Sequence, residues 1–134
     1  IEHADLGVVP LGFRLGLETV LAQILAEVGD KPLVLAGHSL GGARALLAAG
    51  LLAAQNRPPA HVAAFAPPRV GSLKGLLSGL PCAAYRYRDD PVPLVPFSFP
   101  RALALVQLVP PTLELDVWAD HHLANYQAEA PAAV

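Results

Sequence analysis

The sequence has no methionine, a single cysteine and few charged residues, and the last two shortages each exclude a class of protein. With Cys82 alone, an internal disulfide framework and a multi-cysteine metal site are both excluded. Charged residues make up 15% of the chain against 54% hydrophobic residues, which is the opposite of the balance in a disordered protein. The longest apolar run, Ala45–Ala54, is about half of the ~20 residues that a membrane-spanning helix needs, so we predict no transmembrane segment.

The net charge and the length of the chain bear on its partners and on the number of its domains. The net charge is −2 and the nine basic residues are scattered, so nothing predicts a nucleic-acid partner. The 134 residues suffice for one domain with a real core, although they are few for an enzyme. Because a translated chain begins with methionine and this one does not, we expect a fragment or a processed product. The prediction is a single, partial domain that spans residues 1–134.

Helical and strand patterns alternate along the chain, which predicts an α/β fold with a mostly parallel sheet flanked by helices. The predicted elements up to residue 87 are a helix over 12–28, a strand over 33–36, a helix over 43–55, a strand over 61–65, a short helix over 73–80 and a strand over 83–87. Frequent prolines interrupt the chain after Pro91. Beyond it we predict short strands within 102–109 and 113–118 and a final helix over 121–128 that Asp120 caps.

One turn carries the signature of a nucleophile. Residues 37–41, Gly-His-Ser-Leu-Gly, match G-x-S-x-G between the first predicted strand and the second predicted helix, which is the setting of a nucleophile elbow. The turn is sharp, so side chains at Gly37 or Gly41 are expected to collide with strand and helix backbone. The Ser39 hydroxyl then projects above the sheet edge, and the Leu40 amide points toward a developing oxyanion. The alternative is a glycine-rich helix start with Ser39 as its capping residue.

A nucleophilic serine needs a base, and the base needs an orienting acid. In this type of fold the acid follows the serine and the histidine comes last. Only Asp89 and Asp90 stand just past the carboxyl end of a predicted core strand, where α/β sites assemble, although a solvated turn would also place them there. The remaining acids after the serine are Glu114, Asp116, Asp120 and Glu129. The candidate bases are His121 and His122, since His3, His38 and His61 precede or flank the wrong elements.

Four blocks of the sequence, in the same order as in the family, resemble the class 3 (fungal-type) lipases. Residues 35–43 resemble the family's T-G-H-S-L-G-G-A elbow. Residues 65–71 are similar to F-G-x-P-R-V-G, with Ala66 in place of a glycine. Residues 85–96 are similar to a strand that ends in D-x-V-P-x-x-P, and residues 120–126 resemble the family's histidine segment.

This resemblance implies an α/β-hydrolase fold and assigns the two partners of the serine. The family's aspartate stands immediately before x-V-P, which falls on Asp90 rather than Asp89. Members with H-x-L-x-x-Y place the base on His121, whereas members with H-L-x-x-aromatic place it on His122. We favour His121 because Asp120 and His121 together reproduce a D-H pair of many members.

The resemblance also implies a missing part. Members of the family are longer, and their additional part lies upstream, where it holds the first strands, the lid and the residue that gives a second oxyanion donor. We therefore expect a hydrolase-type sheet that lacks the N-terminal strands. If the chain is complete, the Leu40 amide is the one oxyanion donor, and losing the other costs about 10²–10³ in rate.

The sequence thus predicts a serine carboxylic-ester hydrolase that acts on lipid or other acyl esters. Ser39 attacks the acyl carbonyl, His121 moves the proton, and Asp90 holds the imidazole tautomer, with no metal or cofactor implied. The apolar stretch Val92–Leu108 is either an acyl-facing wall or ordinary core. Two other functions stay open: a thioesterase or acyltransferase with the same triad, and an inactive fragment that serves as a structural or binding piece.

Overall fold

Residues 2–112 and 116–131 are described in this computed structural model, and they contain six strands and four α-helices. The strands are β1 (Glu2–His3), β2 (Gly7–Val8), β3 (Val34–His38), β4 (His61–Phe65), β5 (Cys82–Tyr87) and β6 (Leu105–Val109). The helices are α1 (Leu11–Arg14), α2 (Leu17–Val28), α3 (Leu40–Ala54) and α4 (Leu123–Glu129). Three short 3₁₀ turns lie at Leu73–Gly75, Val92–Leu94 and Ala119–His121.

A four-stranded sheet in the order β3-β4-β5-β6 forms the centre of the fold. Every neighbouring pair is parallel, and the β3–β4 register runs from Val34 opposite His61 to His38 opposite Phe65. Parallel neighbours need a crossover connection, and α3 supplies it between β3 and β4. The predicted α/β class with a parallel sheet is confirmed. The carboxyl ends of β3, β4 and β5 lie at one edge of the sheet, where the loops that follow them meet.

The two faces of the sheet bury different kinds of side chain. Because side chains alternate along a strand, Val62 and Ala64 of β4 point into an aliphatic cluster with α3, whereas Ala63 points to the opposite face. On that opposite face Ala63 packs in a smaller aromatic cluster with Tyr85 and with Tyr126 of α4. The sheet thus has a larger aliphatic cluster on one face and a smaller aromatic cluster on the other.

Helix α3 is the most deeply packed element, with ten of its fifteen residues buried. A small antiparallel hairpin of β1 and β2 covers part of it and brings the fully buried Leu6 and Val9 into the core. A Cβ at Gly50 would lie 2.9 Å from Leu6 Cδ2, so the glycine permits this close approach. The hairpin is not predictable from the sequence pattern, because strands of two residues show no alternation.

Two predicted helices are shorter than expected. The helix predicted over 12–28 is divided into α1 and α2 at Gly16, whose φ of +73° breaks the helical path. The segment 73–80 forms only the 3₁₀ turn and further turns, because Leu73 and Lys74 both have positive φ values.

The C-terminal predictions are partly confirmed. Strand β6 lies within the predicted segment 102–109. Of the segment 113–118, residues 113–115 lie outside the described part of the chain, and residues 117–118 form a turn. The final helix, predicted over 121–128, is α4 and begins two residues later.

Candidate active site

Ser39 is the single residue between β3 and α3. Its φ of 56° and ψ of −124° lie in a region that costs energy for any residue with a side chain. The Ser39 amide donates to the Phe65 carbonyl at 2.9 Å, which anchors the turn to β4. The serine side chain makes no capping hydrogen bond to α3, which argues against a purely capping serine. The strand-turn-helix arrangement that the G-x-S-x-G pattern predicted is therefore present.

The glycines beside Ser39 differ in how crowded they are. A Cβ at Gly37 would lie 2.3 Å from the carbonyl carbon and oxygen of Gly41, which no rotation can relieve because both are backbone atoms. A Cβ at Gly41 would meet nothing within 4 Å. The second crowded position is Gly42, where a Cβ would lie 3.0 Å from the Gly37 oxygen and 3.1 Å from the Phe65 oxygen. The steric prediction was right for Gly37 and wrong for Gly41, because it is Gly42 that packs against the end of β4.

The structure brings Ser39, His121 and Asp90 into one chain of hydrogen bonds. Ser39 Oγ lies 2.9 Å from His121 Nε2, and His121 Nδ1 lies 2.9 Å and 3.1 Å from the two Asp90 carboxylate oxygens. A carboxylate only accepts, so Nδ1 carries the hydrogen and Nε2 accepts from the serine hydroxyl. This is the geometry in which an imidazole can remove the serine proton.

The other candidate acids that the structure describes, and His122 as the alternative base, do not take part in this chain of hydrogen bonds. The Asp89 carboxylate accepts a hydrogen bond from the Thr112 amide at 2.9 Å. His122 is exposed and occupies the N-cap position of α4. Asp116 accepts from the Ala119 amide, Glu129 is exposed at the end of α4, and Glu114 falls outside the described residues.

Asp120 does not cap the final helix, so that prediction was wrong. It is buried in the 3₁₀ turn before α4, and its Oδ2 accepts a hydrogen bond from the Asp89 amide at 3.1 Å. The bond joins the loop that carries Asp90 to the turn that carries His121. Asp120 thus makes a tertiary contact between two loops and does not cap a helix.

Asp90 is fully buried, and a buried carboxylate needs donors on both oxygens. One oxygen accepts from the Val92 amide at 2.9 Å, and the other accepts from the Tyr126 hydroxyl. The Tyr126 hydroxyl in turn accepts from the Tyr87 amide at 3.0 Å. Burial, together with this hydrogen bond to Asp90, raises the pKa of Tyr126 far above its ordinary value. The sequence pattern does not reveal this role of Tyr126, although the tyrosine ends the H-x-L-x-x-Y block.

His38 is a second residue of the site that was not among the predicted site residues. Its Nε2–H donates to the His121 carbonyl oxygen at 2.9 Å, and the two imidazole rings lie 4.7 Å apart at 32°. Burial first, and then the neighbouring charge of His121, lower the pKa of His38. The sequence feature that indicates a role for His38 is its place in the elbow motif, directly before Ser39.

Leu40 is the first residue of α3, and N–H groups in the first turn of a helix have no acceptor within that helix. The Leu40 amide is therefore placed to donate to a ligand oxygen beside Ser39, and its oxyanion role stays a prediction. A cavity of about 450 Å³ beside His38 and Tyr126 is lined by Ala36, Gly37, His38, Phe65, Leu123, Tyr126, Gln127 and Ala130.

Within residues 2–112 and 116–131, no group of three or more His, Cys, Asp or Glu side chains is arranged to hold a metal ion. None of the helices in those same ranges combines the length and the apolar character of a membrane span.

Comparison with known proteins supports the resemblance read from the motifs. The family model of the class 3 lipases matches residues 11–99, a stretch that includes Ser39 and Asp90 but ends before His121. The secreted mono- and diacylglycerol lipase A of Penicillium cyclopium is 38% identical over 80 residues, which cover 57% of this chain and 26% of the relative.

Solved structures of fungal lipases have the same fold. The mono- and diacylglycerol lipase of Aspergillus oryzae superposes with a TM-score of 0.66 at 28% identity, over 79% of this chain and 44% of that one. The Lip2 lipase of Yarrowia lipolytica has a TM-score of 0.63 at 24% identity, over 81% of this chain and 45% of that one. The chain thus spans about half the length of these structures or less. With its sheet, its elbow and the match over residues 11–99, the chain belongs to the class 3 lipase family and has an α/β-hydrolase-type fold.

Proposed function

We propose that this chain carries the reaction centre of a serine carboxylic-ester hydrolase, with Ser39 as nucleophile, His121 as general base and acid, and Asp90 as the orienting acid. The observation that carries the proposal is the continuous hydrogen-bonded chain from Ser39 Oγ through the His121 imidazole to the buried Asp90 carboxylate. Family membership supports it independently.

The reaction follows from this geometry in two stages. His121 Nε2 removes the hydroxyl proton while Ser39 Oγ attacks the acyl carbonyl carbon, and the carbonyl oxygen becomes an oxyanion that accepts from the Leu40 amide. His121 then gives the proton to the departing alkoxide, which leaves an acyl-serine. In the second stage His121 takes a proton from the water that attacks the acyl carbon. The bond between that carbon and Ser39 Oγ then breaks, His121 returns the proton to Ser39 Oγ, and the carboxylic acid leaves. Asp90 fixes the tautomer throughout and stabilises the imidazolium.

The proposed substrates are lipid esters, and two observations support this class. Two relatives are named as mono- and diacylglycerol lipases. Exposed apolar side chains adjoin the triad along the chain: Leu40 beside Ser39, and Trp118 and Leu123 on either side of His121, with exposures of 44%, 65% and 46%. The acyl-facing wall over residues 92–108 stays a prediction, and Phe97 within it is 71% exposed.

The test is Ser39→Ala, with the exposed Ser78→Ala as matched control. Hydrolysis of p-nitrophenyl butyrate and of a monoacylglycerol should fall by about 10⁶-fold in kcat for Ser39→Ala, the loss typical of removing a triad serine, and stay unchanged for Ser78→Ala. A fluorophosphonate probe should label the parent chain and the control but not Ser39→Ala. Equal activity in all three chains would overturn the assignment of Ser39. A folded parent chain that is neither labelled nor active would place it instead among inactive fragments.

A further inference from the structure

His38 touches the proposed base in two ways. Its Nε2–H holds the backbone carbonyl of His121, and its ring lies against the His121 imidazole at 4.7 Å. The ring also lies 5.5 Å from that of Tyr126. Because β3 carries His38 directly before Ser39, this contact fixes the base relative to the nucleophile through a rigid strand. The arrangement suits a residue that positions His121 rather than one that reacts with substrate.

The charge of His38 matters as much as its hydrogen bond. The titratable groups that face it are His121 from the 3₁₀ turn, Asp90 from the loop after β5 and Tyr126 from α4. Turnover creates a positive imidazolium at His121, and a second positive charge at this distance would oppose it. Burial and the charge of His121 favour the neutral form of His38, whereas its hydrogen bond to the His121 carbonyl and the charge of Asp90 favour the charged form; the net effect lowers the pKa of His38. His38 also lines the open cavity beside Tyr126, so protons can reach it.

We propose that His38 is a positioning residue for His121 that works only as the neutral imidazole: it fixes the His121 backbone through Nε2–H and presents an uncharged ring to the base. This inference rests on the proposed triad. The residue that precedes the serine must then donate a hydrogen bond and carry no charge while the reaction proceeds. Protonation of His38 in acid then lowers activity in addition to protonation of His121.

The experiment compares His38→Gln, which keeps a donor but never carries a charge, with His38→Phe, which keeps a ring but has no donor. The exposed His122→Gln is the matched control. For each folded chain kcat and KM are measured with p-nitrophenyl butyrate from pH 4.5 to pH 9, and circular dichroism is recorded at each pH. Fluorophosphonate labelling of Ser39 in the parent chain tests the proposed function separately.

At pH 8 we expect His38→Phe to lose about 10²-fold in kcat with KM unchanged, because the base is misplaced. His38→Gln keeps a donor, so its kcat should be only about tenfold below that of the parent chain. On the acid side, log(kcat/KM) of the parent chain should steepen to a slope of two, since two groups must lose protons, whereas His38→Gln should keep a slope of one.

Two results would overturn the proposal for His38 while labelling of Ser39 left the triad standing. One is a slope of one for both the parent and His38→Gln. The other is a kcat for His38→Phe equal to that of His122→Gln. If His38→Phe fails to fold, the comparison of slopes between the parent and His38→Gln still decides. A parent chain without labelling would instead count against the proposed function itself.

Discussion

The proposed triad is built from two regions that are held in different ways. The elbow comprises β3, Ser39 and α3, and close backbone contacts fix it, both within the elbow, as between Gly37 and Gly41, and to the end of β4 at Phe65. The acid–base arm comprises the loop with Asp90 and the turn with His121, and hydrogen bonds hold it between residues 31 to 36 positions apart. A single added atom is therefore enough to damage the elbow, whereas the arm is damaged by removing polar atoms.

The largest effect we expect in the arm is from Asp90→Asn. The amide NH₂ group faces His121 Nδ1, which must then accept, so the hydrogen moves to Nε2 and the imidazole can no longer take the Ser39 proton. Loss of the correct tautomer should lower kcat by about 10⁴-fold, measured with p-nitrophenyl butyrate.

The matched control for this change is Asp89→Asn. An asparagine oxygen can still accept from the Thr112 amide, so we expect a change in kcat of about twofold or less. Reversed effects at the two positions would mean that Asp89, and not Asp90, orients the base.

In the elbow the largest effect should come from Gly37→Ala. The new Cβ would meet backbone atoms of Gly41 at 2.3 Å, so β3 and α3 must move apart. Overpacking of this kind should cost about 3 kcal/mol in the free energy of unfolding, measured by urea denaturation. Gly41→Ala, where the added Cβ meets open space, should leave stability unchanged or raise it by up to about 1 kcal/mol, since alanine favours a helix. Equal stability of the two variants would contradict the steric account of the elbow.

The two regions also differ in how well the sequence predicts them. The elbow was found because its whole signature, from the buried strand to the apolar helix, is contiguous and each part constrains the next. The strand continues to His38 and the helix begins at Leu40. The turn is therefore shorter than residues 37–42, which lie between the predicted strand over 33–36 and the predicted helix over 43–55. The reason is that Ser39 alone makes the reversal, through backbone angles that a sequence pattern does not reveal.

In the arm the sequence indicated the candidate residues, but it did not indicate the contacts that hold them in place. Asp90 and His121 were chosen from motif order, and the structure places both next to Ser39 in space. The roles of Asp120 and His38 were not foreseen, because their partners lie 31 and 83 residues away in sequence. Such hydrogen bonds leave no periodicity in a sequence. They emerge only when the sheet brings distant loops to one edge.

The smallest effect we expect, and the most specific test of the arm, is that of Tyr126→Phe. The change keeps the ring in the aromatic cluster but removes the donor to Asp90 and the acceptor for the Tyr87 amide. An unsatisfied buried amide costs about 1–3 kcal/mol, so the free energy of unfolding should fall by about 2 kcal/mol. Since Asp90 loses one donor but keeps His121, kcat should fall only about tenfold. The matched control, Tyr85→Phe, removes a hydroxyl from the same cluster but leaves the Asp90 contacts in place.

The dependence on pH separates this hydrogen bond from simple packing. The folded state raises the pKa of Tyr126 above its ordinary value of about 10, so the stability that its hydroxyl contributes is fully present below pH 10 and is lost as the pH rises further. In the unfolded chain the phenol ionises near pH 10, whereas in the folded chain it stays protonated against Asp90. The stability difference between the parent chain and Tyr126→Phe should therefore be constant from about pH 7 to 9 and should shrink above about pH 10. A difference that stays constant through pH 11 would mean that the folded chain does not hold the Tyr126 hydroxyl protonated against Asp90.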